Sequence, residues 1–406
     1  MPVNLCMAFG RHRLADWPLD PAVTYLNHGT VGVAPRRVLA AQQAIRDEIE
    51  REPSRVLLRD MSSLVGVPTG RPSRVRMAAA VVAAFVGARA DDLVFVDNAT
   101  TGVNAVLRSF RLEPGDEILV TDHNYGAIAR TAAFAAREQQ AEVVTVRVPY
   151  PAFDRQALVD SVAAAITPRT RIAVLDHITS ESALIFPLAE LAAMCRARNV
   201  RVLVDGAHVP GVLPLDIPSL GVDWYTANLH KWACAPRSCG FLWVHPSRQA
   251  GLHPPVISWG LDLGFTAEFD WVGTRDPSSW LAAPAGIAFL RDLGWDDVRQ
   301  YNHDLAWRAA RTLTGRWDTA LEIDEASVGF MATVPLPRVL GSAPEDAARL
   351  RDALLFEDRI EVQVHAGHGR LWMRVCAQVY NDWEDIEKLA SAVVARAGSG
   401  AATAEC

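Results

Sequence analysis

The chain has 406 residues, 50% of them hydrophobic and 21% charged, with a net charge of −7. That length suffices for two domains and a large core, and the balance is that of a soluble globular protein. The basic residues are scattered, which speaks against a nucleic-acid or anionic-membrane surface, and no uncharged apolar run reaches the length of a membrane span.

The opening MPVNLCMAFGRHR has a short apolar run and no basic n-region, so no signal peptide is expected. Six cysteines without framework spacing point to reduced thiols in a cytoplasm. Cys234 and Cys239 have no second pair to complete a zinc site, so no metal is expected.

After an N-terminal arm, YLNHGTVGVAP is a Gly- and Pro-punctuated loop, followed by helical patterns over 36–51 and 75–88. Strand-like and helical runs then alternate. LVFVD, EILVTD, EVVTVRV, RIAVLDH, VRVLVDGAH and GFLWVH read as strands, with helices over 128–137, 155–166 and 188–198 among them. Short Val/Ile/Leu-rich strands separated by helices predict an α/β fold whose mostly parallel sheet is covered on both faces. From about residue 284 the pattern changes to helices with the runs FMATVPLP, EVQVHA and LWMRVCAQV, a smaller α+β domain. The boundaries expected are an arm over 1–35, a large domain over 36–283 and a small one over 284–406. The tail from Gly398 reads as disordered.

Only two of the 40 basic residues are lysines, Lys231 and Lys388. Arginine serves wherever a plain positive charge will do, so a retained lysine points to a task arginine cannot perform. A lysine amine can lose its proton and attack a carbonyl. Lys388 lies in the amphipathic run WEDIEKLASAVVARA, on an exposed helical face. Lys231 lies in the apolar stretch DWYTANLHKWACAPRSCG and reads as a Schiff-base lysine.

Ligands on parallel sheets sit beyond the carboxyl ends of the strands, where the polar residues of this chain collect. Thr100 and Thr101 stand at a strand-to-helix turn suited to an anion, or to plain capping. Asp205 ends an apolar strand and is either a structural ion-pair partner or the counter-charge of a protonated pyridine nitrogen. His208 is a hydrogen-bond donor to such a ring or a core histidine. His123 and Tyr125 follow another strand end and can lie on an aromatic ring or pack a loop, and Ser180 ends a third cluster. GTRDP carries Thr274 in a turn. Arg374 alternates with apolar neighbours, and a substrate carboxylate is one candidate partner. Together these residues specify one ligand with a phosphate, a ring nitrogen, a ring face and an aldehyde.

The motifs YLNHGTVG, NATTGVN, TDHNYGA, DHITSESALIFP, VDGAHVPG, LHKWACAPRSCGFL, WVGTRDPS and RVCAQVYND resemble the class V aminotransferase family of pyridoxal-phosphate (PLP) enzymes, fold type I, and its isopenicillin N epimerase-like branch. The resemblance implies a large domain with a mostly parallel seven-stranded sheet and a smaller α+β domain. It implies that Lys231 forms the internal aldimine, that Asp205 pairs with the pyridine nitrogen and that His208 reaches the phenolic oxygen. It further implies that Thr100, Thr101, Asn228 and His230 surround the phosphate, and that Tyr125 or His123 stacks on the ring. Thr274 is expected to reach the phosphate of a neighbouring subunit, making the enzyme a homodimer. Arg374 matches the arginine that binds the α-carboxylate of an amino-acid-type substrate, and Asn27 and His28 border that substrate.

The chain departs from the family at Val31, where phenylalanine is frequent, and at Cys239, where glycine is common. No cysteine lies between Cys239 and Cys376, against the persulfide chemistry of cysteine desulfurases. The resemblance implies α-proton removal and then epimerisation. C–S β-lysis, decarboxylative or oxidative deamination and transamination are its alternatives, and a non-catalytic PLP-fold binding module is the contrasting class.

Overall fold

The continuous apolar runs of the sequence become buried strands, except that EVVTVRV forms a sheet-edge strand with mostly exposed or half-buried residues. The computed structural model describes residues 8–61 and 70–404, so Cys6, Cys406 and the first seven residues lie outside it. The strands are β1 (Thr24–Tyr25), β2 (Leu93–Val96), β3 (Glu117–Thr121), β4 (Glu142–Val146), β5 (Thr170–Asp176), β6 (Arg201–Asp205), β7 (Trp224–Asn228), β8 (Gly240–Val244), β9 (Met331–Pro335), β10 (Ile360–Glu361), β11 (Gln363–Gly367) and β12 (Arg370–Cys376).

Seven of them form one sheet in the order β2-β8-β7-β6-β5-β3-β4. β4, β3, β5, β6 and β7 run parallel, while β8 is antiparallel to both β7 and β2. Each strand feeds both faces because its side chains alternate. In β6, Val202 and Val204 join one hydrophobic core and Leu203 the other. Both faces being buried is why these strands read as unbroken apolar runs. Each such side chain contributes about 1.5–3 kcal/mol on burial. The expected α/β fold with a mostly parallel seven-stranded sheet is the fold observed.

A second, antiparallel sheet of three strands, β11-β12-β9, lies in the C-terminal part. The N-terminal arm is tied to this part. β1 pairs parallel with β10, the Gly10 amide donates to the Val379 carbonyl at 2.8 Å, and Arg11 pairs with Asp385 at 2.8 Å. The helix Ala283–Leu293 packs against the helices Arg36–Arg51 and Arg74–Phe85. The last helix spans Trp383–Ala404, so it continues through most of the tail that the sequence reads as disordered.

Candidate active site

β5, β6 and β7 are neighbours, and each delivers a polar side chain at its carboxyl end. These are Asp176, Asp205 and Asn228, all buried. Asp176 and Asp205 are register partners, so two carboxyls stand side by side at the end of an apolar sheet. Burial raises both above the usual carboxylate range, and the neighbouring Asp205 raises Asp176 further. The Asn124 amide donates to Asp176 at 2.6 Å, and the Ala207 amide donates to Asp205 at 2.9 Å.

Lys231 follows β7 in a turn whose Leu229 and His230 amides both donate to the Cys239 carbonyl, at 3.0 and 3.1 Å. From behind, His28 fixes the turn. Its Nε2–H donates to the Lys231 carbonyl at 3.1 Å, leaving Nδ1 to accept from the Tyr380 hydroxyl at 2.9 Å. Burial lowers His28 to about 4, which keeps it neutral. Gly32 lies against the same turn with φ +67°, where any Cβ would overlap the His230 carbonyl. The Lys231 side chain keeps some surface on the cleft yet is surrounded by protein. Its Nζ hydrogen-bonds His208 Nε2 at 3.1 Å. Burial first, then Arg374, lowers Lys231 to about 8 against the pull of Asp205 and Cys376. An amine so placed is partly deprotonated at neutral pH, as a nucleophile or base must be.

The helix Ala99–Ser109 points its N-terminus at the cleft. Asn98 caps it by accepting from the Thr101 amide at 2.9 Å, and Asn228 accepts from the Ala99 amide at 2.8 Å. Gly102 lets this helix approach β7 so closely that a Cβ would collide with the Thr226 hydroxyl. Amides and dipole together make this an anion-favouring end.

Arg374, on β12, is 3% exposed. Its guanidinium donates to the Ser180 carbonyl at 2.6 Å, the Thr30 hydroxyl at 2.6 Å and Asn27 Oδ1 at 3.3 Å. All three partners are neutral oxygens, and Nε is buried without a partner. Among the described residues no carboxylate forms an ion pair with it. A buried, charge-uncompensated guanidinium is a site for a carboxylate.

A cleft of about 400 Å³ joins these parts. Of the residues expected from sequence, Thr100, Tyr125, Ser180, Asp205 and His208 line it, together with Asn228, His230, Lys231 and Arg374. Others stand elsewhere. Thr101 turns its hydroxyl to Asn98 at 3.2 Å, and Asn27 lies behind Arg374. His28 is 0% exposed, is not among the residues lining the cleft, and lies behind the lysine turn against the Lys231 carbonyl. His123 lines an adjoining chamber, where its Nδ1 pairs with Ser182 at 2.8 Å. Thr274 is exposed and outside the cleft of its own chain. Asp176, Thr30 and Gln363 line the cleft but were not singled out from sequence. For Asp176 the signal was there, since RIAVLD ends in an acid as VRVLVD does.

The residues present fit pyridoxal phosphate. His208 Nδ1 is buried without a partner, Asp205 has no cation paired to it among the described residues, and the amine, the helix N-terminus and Tyr125 share one cleft. Lys231 would carry the aldehyde carbon, Asp205 the ring nitrogen, and Thr100 with Asn228 and His230 the phosphate.

The family model for aminotransferase class-V matches residues 73–389. The chain is 33% identical over 410 residues to isopenicillin N epimerase of Streptomyces clavuligerus, covering 95% of this chain and 99% of that protein. It is 31% identical over 403 residues to a probable chloroplastic L-cysteine desulfhydrase of Arabidopsis thaliana, covering 92% and 83%. In fold it is similar to the cystine C–S lyase C-DES solved with its product cysteine persulfide, with a TM-score of 0.76 at 24% identity, covering 94% and 98%. With that match and those identities, the chain belongs to the class V aminotransferase family and is a pyridoxal-phosphate-dependent enzyme.

Proposed function

We propose that this enzyme removes the α-proton of an amino acid, or of a larger molecule ending in one, that keeps a free α-carboxylate. Bound pyridoxal phosphate draws electrons from the α-carbon and so acidifies its hydrogen. Arg374 binds and orients the carboxylate through its fork of donors, Lys231 Nζ takes the proton, and Asp205 would pair its carboxylate with the protonated ring nitrogen. The carrying observation is that Arg374, without a carboxylate partner among the described residues, and Lys231, lowered to about 8, line one cleft.

For the step after proton removal, epimerisation is the first reading, with the proton returned to the opposite face of the α-carbon. It needs a second proton donor, and Tyr125 and Glu181 line the cleft for that role. C–S β-lysis is the second reading, supported by the identity to L-cysteine desulfhydrase. There the C–S bond breaks and its electron pair leaves with sulfur, which needs no second donor. Turnover in deuterated water separates them. Epimerisation gives an isomer one mass unit heavier, and lysis gives a released thiol.

The test of the shared step is to compare an amino-acid substrate with its amide in wild type and in Arg374→Lys. Wild type is expected to discriminate against the amide by about a hundredfold or more, roughly the 3 kcal/mol of a charge-assisted pair. Arg374→Lys keeps the charge but loses the parallel donors, so its turnover falls severely while the cofactor spectrum stays normal. Equal use of acid and amide sinks the reading.

We further propose a cytoplasmic homodimer. Cys195, Cys234, Cys239 and Cys376 are free and buried, in keeping with a reducing compartment. Val256, Ile257, Trp259 and Leu263 are 57%, 54%, 81% and 64% exposed within one short segment, an apolar surface suited to a second copy. Thr274, exposed and outside its own cleft, is free to serve the partner's site. Among the described residues no helix is long and apolar enough to cross a membrane.

A further inference from the structure

Beside the cleft lies a second chamber of about 250 Å³ that shares Tyr125, Ser180 and Glu181 with it. The small sheet sets its place. Pairing puts Gln363 of β11 opposite Arg374 of β12, and His365 opposite Trp372. All four share a face because strand side chains alternate. Gln363 and Arg374 line the cleft, whereas His365 and Trp372 line the chamber. The two compartments are therefore one step of two residues apart along the sheet, about 7 Å.

Tyr150 stands at the centre of the chamber's aromatic wall, with His123, His368 and Trp372 at ring-centroid distances of 5.1, 5.3 and 5.0 Å. Its hydroxyl and His365 Nδ1 are buried without a hydrogen-bond partner. Each unpaired atom costs about 1–3 kcal/mol, a cost that a ligand's polar group would relieve. Burial lowers His123 and His365 to about 4, so both imidazoles are neutral near pH 7 and offer lone pairs. Apart from histidines, the charged side chains of the lining are Asp122 and Glu181, both exposed, and no lysine or arginine joins them. Among the described residues no three metal-ligating side chains converge, so the histidines do not form a metal site.

We propose that this chamber receives the far end of the substrate's side chain, and that this end carries a cationic nitrogen, an ammonium or alkylated ammonium. Aromatic faces, neutral lone pairs and two carboxylates attract such a group. A distal carboxylate would instead meet the two like charges of the lining, while Arg370, the cation over the Trp372 ring at 5.6 Å, is not part of that lining and donates to the Leu336 carbonyl at 2.7 Å. The inference rests on the reading that Arg374 holds the α-carboxylate, which fixes the direction in which the side chain extends.

The test uses the holoenzyme and three six-carbon amino acids, L-lysine, L-norleucine and L-2-aminoadipate. Their binding is followed by calorimetry and by the absorbance of the bound cofactor. Lysine is expected to bind about tenfold tighter than norleucine, with aminoadipate weakest. In Asp122→Asn/Glu181→Gln the advantage of lysine should fall below about threefold, since the charge attraction is gone. The asparagine keeps the oxygen that accepts from the Val148 amide at 2.8 Å, so the variant is expected to fold. Aminoadipate binding as tightly as lysine, or an advantage undiminished in the double variant, overturns the proposal. If the three amides bind as tightly as the acids, the failure lies with Arg374 and not with the chamber.

Discussion

Lys231 is held at about 8, below the 10.5 of an ordinary lysine, because burial and the nearby Arg374 disfavour its charge. Between those values the unfolded chain binds a proton that the folded chain does not. Its contribution to stability therefore rises with pH across that window and is least favourable below pH 8. The amine is retained for chemistry at a cost to the fold of about 3 kcal/mol near pH 7. Lys231→Met in the cofactor-free protein is accordingly expected to melt above wild type near pH 7, with the gain shrinking as pH approaches 10.5. Lys231→Arg should melt below wild type, and both variants should be inactive. Scanning calorimetry at several pH values checks this. A melting difference that does not vary with pH would mean Lys231 titrates as it does in the unfolded chain. His28 shows the complementary case of a titratable residue whose work is structural, its two nitrogens spanning Tyr380 and the Lys231 carbonyl.

At the scale of elements, the site depends on how closely the helix Ala99–Ser109 lies on β7. Its N-terminal amides reach the cleft because Gly102 has no Cβ to meet Thr226, whose hydroxyl is already held by the Phe241 carbonyl at 2.9 Å. Gly102→Ala must push the helix outward. Helix propensity alone would favour alanine by about 1 kcal/mol, but overpacking costs about 1–3 kcal/mol, so the balance is destabilising. We expect a lower melting temperature and weaker retention of the cofactor on dialysis. A melting temperature raised above wild type would show that the helix shifts without strain. On the small sheet the alternation of β11 and β12 acts as a ruler, with carboxylate recognition at Gln363–Arg374 and the aromatic chamber one step on at His365–Trp372.

For the whole molecule, the N-terminal arm bridges the two sheets' territories. β1 joins β10, while the Gly32 carbonyl accepts from Arg237 at 3.0 Å beside the lysine turn. The exposed apolar segment around Trp259 has no cover among the described residues. If a second copy covers it, sedimentation should give twice the 44.3 kDa of one chain. Ile257→Asp/Trp259→Asp should then give the monomer, because desolvating a carboxylate in an apolar interface costs several kcal/mol. A monomeric wild type, or an unchanged dimer in the variant, would place the interface elsewhere or remove it.

The sequence by itself determined the layered α/β fold, because strands buried on both faces must be continuously apolar and helices between them must be amphipathic. It also singled out Lys231, Asp205 and His208, an amine, an acid and an imidazole that stand out in apolar surroundings, and the structure brings the three to one cleft. Other features were decided by tertiary structure alone. Asp176 becomes a neighbour of Asp205 only through the pairing of β5 with β6. The three neutral oxygens that hold Arg374 come from two segments far from it and from each other in the chain, residues 27 and 30 on one and residue 180 on the other. The place of His28 behind the lysine turn, against Tyr380 and Trp232, likewise comes from contacts between segments far apart in the chain. The chamber around Tyr150 draws on four separate stretches, and spacing within one chain carries no trace of a wall that folding alone assembles.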